Sequence, residues 1–326
     1  MRLSDHAFVY APDLAGFDLS RDHPFKPIRL ELTRSLLQRA GLLTEEHLVT
    51  PAPLPDKALL EVHDARFVEA VKAASRGEAV PDAQVYGLGT SDNPIFAGMH
   101  EAVLGVVAAT VTAVERLAEG AFALTVTAVE IVASGRARRA ANFSGGLHHA
   151  LAARASGFCL YNDLAVGIRH AVRHHGMRVA YVDLDAHHGD GVQWIFYEDP
   201  AVLTVSLHES GRYLFPGTGH TYETGKGAGR GTAVNVPLEP YTEDESFLEV
   251  FDLVVPAALR HFQPDLIVLQ AGADMHTRDP LADMSLTLTA MAESYRRMVV
   301  LADELCGGRL VVTGGGGYDP YRTVPR

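Results

Sequence analysis

Short apolar, β-branched runs punctuate the chain: VAYV at 179–182, VLTVSL at 202–207, LIVL at 266–269 and LVVT at 310–313. Each is bounded by polar or turn-forming residues, and helix-length amphipathic segments lie between several of them. Alternation of this kind predicts a parallel sheet covered by helices on both faces, an α/β, three-layer α/β/α arrangement. In such sheets ligands bind beyond the carboxyl ends of the strands. The residues just after each run are therefore the ones to inspect for chemistry.

A second pattern interrupts the first. TVTAVERLAEG at 110–120 recurs as TVTAVEIVASG at 125–135, fifteen residues downstream. A fifteen-residue unit is roughly four helical turns and keeps an apolar face nearly in phase, so the repeat reads as a local duplication within a helical region. Two copies are too few for a solenoid. On this reading, removal of residues 110–124 leaves the fold intact.

Composition narrows the class. At 326 residues and 47% hydrophobic, the chain can bury a large core, and no Ser/Gly/Pro-rich or charge-rich linker divides it, so one domain spanning 1–326 is expected. Forty Asp and Glu against 28 Lys and Arg give a net charge of -12, which disfavours nucleic acid and anionic membranes as partners. The basic cluster of Arg136, Arg138 and Arg139 reads as a solvated helix end. Cys159 and Cys306 form no CxxC motif, and neither a leader-like N-terminus nor a spanning stretch is seen, so the cytoplasm is expected.

The chemistry begins after the first run, in DLDAHHGDG at 183–191. Asp183, Asp185 and His187 alternate and project toward one side of an extended backbone. Three acids and two histidines within eight residues could line a solvated loop, but beside a buried strand they need a cation or partners. A catalytic zinc needs three protein ligands, and Asp274 in LQAGAD can supply the third. Its bland alternative is a helix cap. SGGLHHA at 144–150 presents His148 and His149 behind two glycines, and histidine is the natural general acid–base near neutral pH. His174 and His175, before Gly176, instead suit a helix C-terminus. GGGGY at 314–318 suggests backbone held close to a ligand with the Tyr318 hydroxyl as donor, and no Lys-Ser/Thr follows to make a phosphate loop.

These motifs, together with HPFKPIR at 23–29, TSDNPIF at 90–96, SGFCLYND at 156–163 and VSLHESGRYLFPGTG at 205–219, resemble the zinc-dependent histone deacetylases, and among them the bacterial acetoin utilization deacetylases. The resemblance covers nearly the whole chain. It implies an arginase/deacetylase-like fold with a mainly parallel eight-stranded sheet, and hydrolytic removal of acetyl groups from acetyl-lysine. It implies that Asp185, His187 and Asp274 bind zinc, with ferrous iron as an alternative. His148 and His149 would be the tandem active-site histidines, oriented by Asp183 and Asp190, with Tyr318 donating to the oxyanion. Phe158 and Phe215 would wall the substrate tunnel, Asp92 and Gly157 would hold substrate at its mouth, and Leu281 and Gly316 would also contact substrate. Arg29 would guard an acetate channel. A structural potassium would use Asp183, Asp185, His187, Ser206 and Leu207.

The chain departs from the family pattern in the duplication between Asp92 and His148, and in ending eight residues past Tyr318 where relatives continue, so a shortened C-terminal end is expected. The implied substrate is an acetylated protein or peptide, such as an acyl-CoA synthetase or a histone tail. The alternatives are an acetylpolyamine amidohydrolase or a catalytically silent binding homologue. An arginase-like two-metal site fits less well beside the glycine-flanked histidine pair and Tyr318. Nothing in the sequence assigns an oligomeric state.

Overall fold

A computed structural model describes residues 6–20, 22–121 and 138–326. Among these residues eight strands form one sheet: β1 (His6–Val9), β2 (Leu48–Val49), β3 (Arg139–Asn142), β4 (Val179–Asp183), β5 (Val202–Glu209), β6 (Ala233–Leu238), β7 (Leu266–Gln270) and β8 (Leu310–Thr313). Their order is β2-β1-β3-β8-β7-β4-β5-β6, and every neighbouring pair is parallel. The expected α/β class and parallel sheet are therefore present.

The four strands visible as apolar runs are β4, β5, β7 and β8, each buried along most or all of its length. Val179 and Tyr181 face one hydrophobic core, while Ala180 and Val182 face the other. A strand covered on both sides has no polar face, which explains the unbroken apolar runs. The first core holds α2 (Ala65–Ser75), α3 (Met99–Ala121) and α4 (Asp163–His175) against the sheet through Phe67, Val107 and Leu164. Beyond the short α5 (Asp190–Ile195), helices α6 (Asp244–Phe262) and α7 (Leu288–Cys306) cover the opposite face through Phe251, Val255 and Met298. Among the described residues the remaining α-helix, Ile28–Arg39, precedes all of these and contributes Leu30 to the first core.

One expectation changes. Arg139 does not end a helix: it opens β3, pairs in register with His6 and Leu310, and its guanidinium reaches the Asp303 carboxylate at 2.6 Å. Arg136 lies outside the described residues. The first copy of the duplicated unit is helical, as expected. From Thr110 onward it forms the second half of α3, with Thr110, Val111, Ala113, Val114 and Leu117 buried. Each buried Val or Leu there contributes about 1.5–3 kcal/mol. The second copy, at 125–135, lies outside the described residues. His174 and His175 do occupy the last turn of α4, which ends at a left-handed Gly176. Among the described residues no helix is long and apolar enough to cross a membrane.

Candidate active site

Four neighbouring strands, β3, β8, β7 and β4, send their carboxyl-end loops to one place. These loops carry residues 143–149, 314–318, 271–274 and 184–190 respectively. Sheet order thus assembles groups scattered over more than 170 residues of sequence, as expected for a ligand site at the carboxyl edge of a parallel sheet.

Asp185, His187 and Asp274 are buried, and their donor atoms lie within 4.8 Å of one another. His187 Nδ1 sits 2.9 Å from an Asp274 oxygen and 3.2 Å from an Asp185 oxygen. Asp274 caps no helix; its other oxygen accepts the Ala186 N–H at 2.8 Å. Asp185 accepts from Gln270 Nε2 at 2.8 Å and from the Gly316 N–H at 2.6 Å. Burial works against charge on all three groups. The cations of His148 and His187 nevertheless hold Asp185 well below the usual carboxylate range, while burial and the Asp185 charge push Asp274 up to about 7. Bonds to the two carboxylates outweigh burial at His187 and raise it to about 10. The cluster draws positive charge into its centre. Two carboxylate oxygens, both oriented by further hydrogen bonds, and one imidazole nitrogen fit a divalent ion with three protein ligands and an open position.

The glycines of the 314–317 run serve this cluster directly. A Cβ on Gly316 would stand 2.0 Å from an Asp274 oxygen, so only glycine lets the backbone pass close enough for its N–H to reach Asp185. The close approach inferred from the glycine run is thus to the carboxylates themselves.

Beside them, His148 Nδ1 lies 2.8 Å from Asp183, and His149 Nδ1 lies 2.6 Å from Asp190. The two rings are 4.0 Å apart. Their environments split them. Burial disfavours the His148 cation, but Asp183 and Asp185 outweigh it and raise this group to about 9. Burial and the adjacent His148 charge depress His149 to about 4, against a weaker pull from Asp190. The surroundings thus favour charge on His148 and disfavour it on His149, whose Nδ1 faces Asp190, an arrangement suited to a neutral imidazole that takes a proton through Nε2.

Aromatic rings frame the approach. Phe215 packs edge-on against His149 at 4.9 Å, and Phe158 packs edge-on against Tyr318 at 5.8 Å and His23 at 4.4 Å. A Cβ on Gly157 would meet the His149 ring at 2.5 Å and Phe215 at 2.9 Å, so a side chain there would block the space between them. Asp92 is exposed and near enough to His23 to act on its charge. Leu281 is 37% exposed; its N–H and that of Tyr318 both donate to Asp279.

Across residues 23–326 the sequence matches the histone deacetylase domain. The chain belongs to the histone deacetylase family. Acetoin utilization protein AcuC of Bacillus subtilis (strain 168) is 43% identical over 99% of this chain and 80% of its own length. The protein of the same name from Staphylococcus aureus (strain MRSA252) is 42% identical with the same coverage. A crystal structure of a histone deacetylase homologue from Aquifex aeolicus superposes with a TM-score of 0.84 at 30% identity, covering 97% of this chain and 80% of that one. A homologue solved in complex with SAHA gives the same values.

Several residues of this deacetylase that shape the site had no signal of their own in the sequence. Asp163, at the start of α4, accepts the N–H groups of Gly146 at 3.1 Å and Leu147 at 2.7 Å, and the Thr110 hydroxyl at 2.5 Å. Gln270 and Asp279 act across comparable sequence distances. Asp163 and Asn162 close the SGFCLYND motif, which is where a reader could have looked. Asp183 and Ser206 are directly paired across β4 and β5, with Leu207 next in line, while the Ser206 hydroxyl lies 2.8 Å from His208 Nδ1. Arg29 is buried, donates to the Gly317 carbonyl at 3.0 Å, and lines three cavities, two of which bear on the site. One, of about 20 Å³, is bounded by His148, His149 and Tyr318; the other, of about 370 Å³, is largely apolar and bounded by Leu37, Met291 and Val324.

Proposed function

We propose that this deacetylase hydrolyses the acetyl-amide of lysine side chains in proteins or peptides, releasing acetate. The observation that carries the reading is geometric: His148 and His149, held by Asp183 and Asp190 at 2.8 and 2.6 Å, stand beside Asp185, His187 and Asp274. One imidazole is ready to take a proton, its neighbour supplies a fixed positive charge, and a metal-ligand set stands next to both. Zinc held by Asp185, His187 and Asp274 would supply Lewis-acid polarisation of the amide carbonyl and acidify water, and the oxygen-rich donors also suit ferrous iron.

The protein groups then divide the work. His149, held by Asp190, takes a proton from the attacking water and returns it to the departing amine nitrogen as the C–N bond breaks. His148, held by Asp183, remains cationic and opposes the negative charge that develops. The Tyr318 hydroxyl donates to the same developing oxyanion. Phe158 and Phe215 would enclose an aliphatic chain, Gly157 leaves room for it, and Asp92, Leu281 and Gly316 would contact substrate nearer the mouth and floor. Arg29, lining both cavities, suits an exit for acetate. Asp183, Asp185, His187, Ser206 and Leu207 would hold a structural potassium, for which the in-register pairing of Asp183 with Ser206 speaks.

An acidic chain suits basic peptides. The experiment is acetate release from acetyl-lysine peptides compared with acetylated polyamines. Faster turnover of the small amines would replace the peptide reading, and no turnover of either by zinc-loaded protein would leave a binding homologue.

A further inference from the structure

A second cluster of metal-ligating side chains lies well away from the catalytic groups. Glu115 on α3 and His170 and His175 on α4 place one donor atom each within 4.8 Å of one another. By helix rise, His175 is about 18 Å along α4 from Asp163, which supports the histidine loop at the other end. The two helices are pressed together on the way: a Cβ on Gly167 would stand 2.9 Å from the Thr110 methyl. That contact brings Glu115 alongside the last turns of α4.

We propose that Glu115, His170 and His175 form a second divalent-metal site, taking zinc or a similar borderline ion, that ties α3 to α4. Both imidazoles turn Nε2 toward the same carboxylate oxygen, His175 at 3.2 Å and His170 closer still. One oxygen accepts from both rings only if both Nε2 atoms carry protons. A metal ion among them makes the opposite demand, which two neutral imidazoles meet with their lone pairs and the carboxylate meets with its charge. Tetrahedral zinc with bonds of about 2.0–2.2 Å needs donors roughly 3.3–3.5 Å apart, so small shifts of these side chains suffice. Side-chain exposures of 20%, 14% and 36% leave an ion a path in and room for water in the remaining position.

The same groups are not part of the deacetylation chemistry, so the site can be tested apart from it. Protein holding one zinc per chain is titrated calorimetrically with Zn²⁺ at pH 7.5, with Mg²⁺ as control. The wild type should take a second equivalent of zinc and none of magnesium. Glu115→Gln and His170→Gln should each weaken that second equivalent by about 10- to 100-fold or more, while deacetylase activity stays unchanged and certifies the fold. No uptake of zinc beyond the equivalent already held by the wild type, or a second equivalent that survives both substitutions, would overturn the assignment.

Discussion

The Asp163 carboxylate accepts the Leu147 N–H at 2.7 Å, so the first residue of α4 sets the loop one position ahead of His148. Gly146 and Thr110 donate to the same carboxylate, which leaves it no spare role as a solvent-facing charge. Asp163→Asn puts an amide N–H where several donors converge. The expected result is a loss of about 1.5–3 kcal/mol in stability, from charge-assisted hydrogen bonds, and a kcat lowered by up to about 100-fold through misplaced histidines. Urea unfolding and steady-state kinetics check it. An unchanged kcat in a destabilised protein would confine Asp163 to holding the fold.

Asp185→Ala or Asp274→Ala deletes one of three donors and should abolish bound zinc and activity together. Metal analysis of purified variants decides this, and full zinc occupancy in both would refute the ligand set.

Tyr318→Phe should leave metal content unchanged and lower kcat by roughly 100- to 1000-fold, the loss typical of one oxyanion donor. Affinity for a hydroxamate, which ligates zinc through oxygen, should fall only modestly, because the hydroxyl acts mainly in the transition state. Near-normal turnover would remove Tyr318 from the mechanism.

His63 lies under the Leu151–Ala152 turn and accepts the Asn162 N–H through Nε2. Burial depresses it to about 4. A histidine whose folded value lies below its unfolded value of 6.5 contributes fully above pH 6.5, and that contribution is lost as pH falls from 6.5 to about 4. Its loss over that window amounts to about 3 kcal/mol. Chemical denaturation of His63→Gln should show lower stability at pH 7.5 but a flatter decline toward pH 4. A decline as steep as the wild type's would assign the acid sensitivity elsewhere.

Deletion of residues 110–124 should still give soluble, folded protein, though not because the unit is dispensable. The first copy is core, but the deletion joins Ala109 to Thr125, and TVTAVE then stands where TVTAVE stood. Thr125 takes over the place of Thr110 against Asp163. The melting temperature should stay within a few degrees, and insoluble expression would show that the copies are not interchangeable.

What could be read in the sequence follows from which groups report on themselves locally. β4, β5, β7 and β8 were legible because burial on both faces makes a strand continuously apolar, and the acids and histidines after β4 stood out because they are dense and adjacent. β3 was hidden because four residues reading RAAN carry no apolar signal and their neighbours in the sheet come from distant parts of the chain. β6 contains Pro237, which interrupts the pattern. Asp163, Gln270 and the Glu115 cluster were invisible for a similar reason: each acts on a partner dozens of residues away, and no spacing rule links them. The sequence also could not tell whether the first repeat was inside the core.

The order of strands has a consequence for how the molecule comes into being. β8, last of the eight to be synthesised, sits in the middle of the sheet between β3 and β7. Without residues 310–313, β2-β1-β3 and β7-β4-β5-β6 would be two half-sheets with open inner edges. The histidine pair belongs to one half and the acidic cluster to the other. A chain in which β8 fails to insert between β3 and β7 is therefore expected to keep the histidine loop and the acidic cluster in separate halves, folded in part but without hydrolytic capacity.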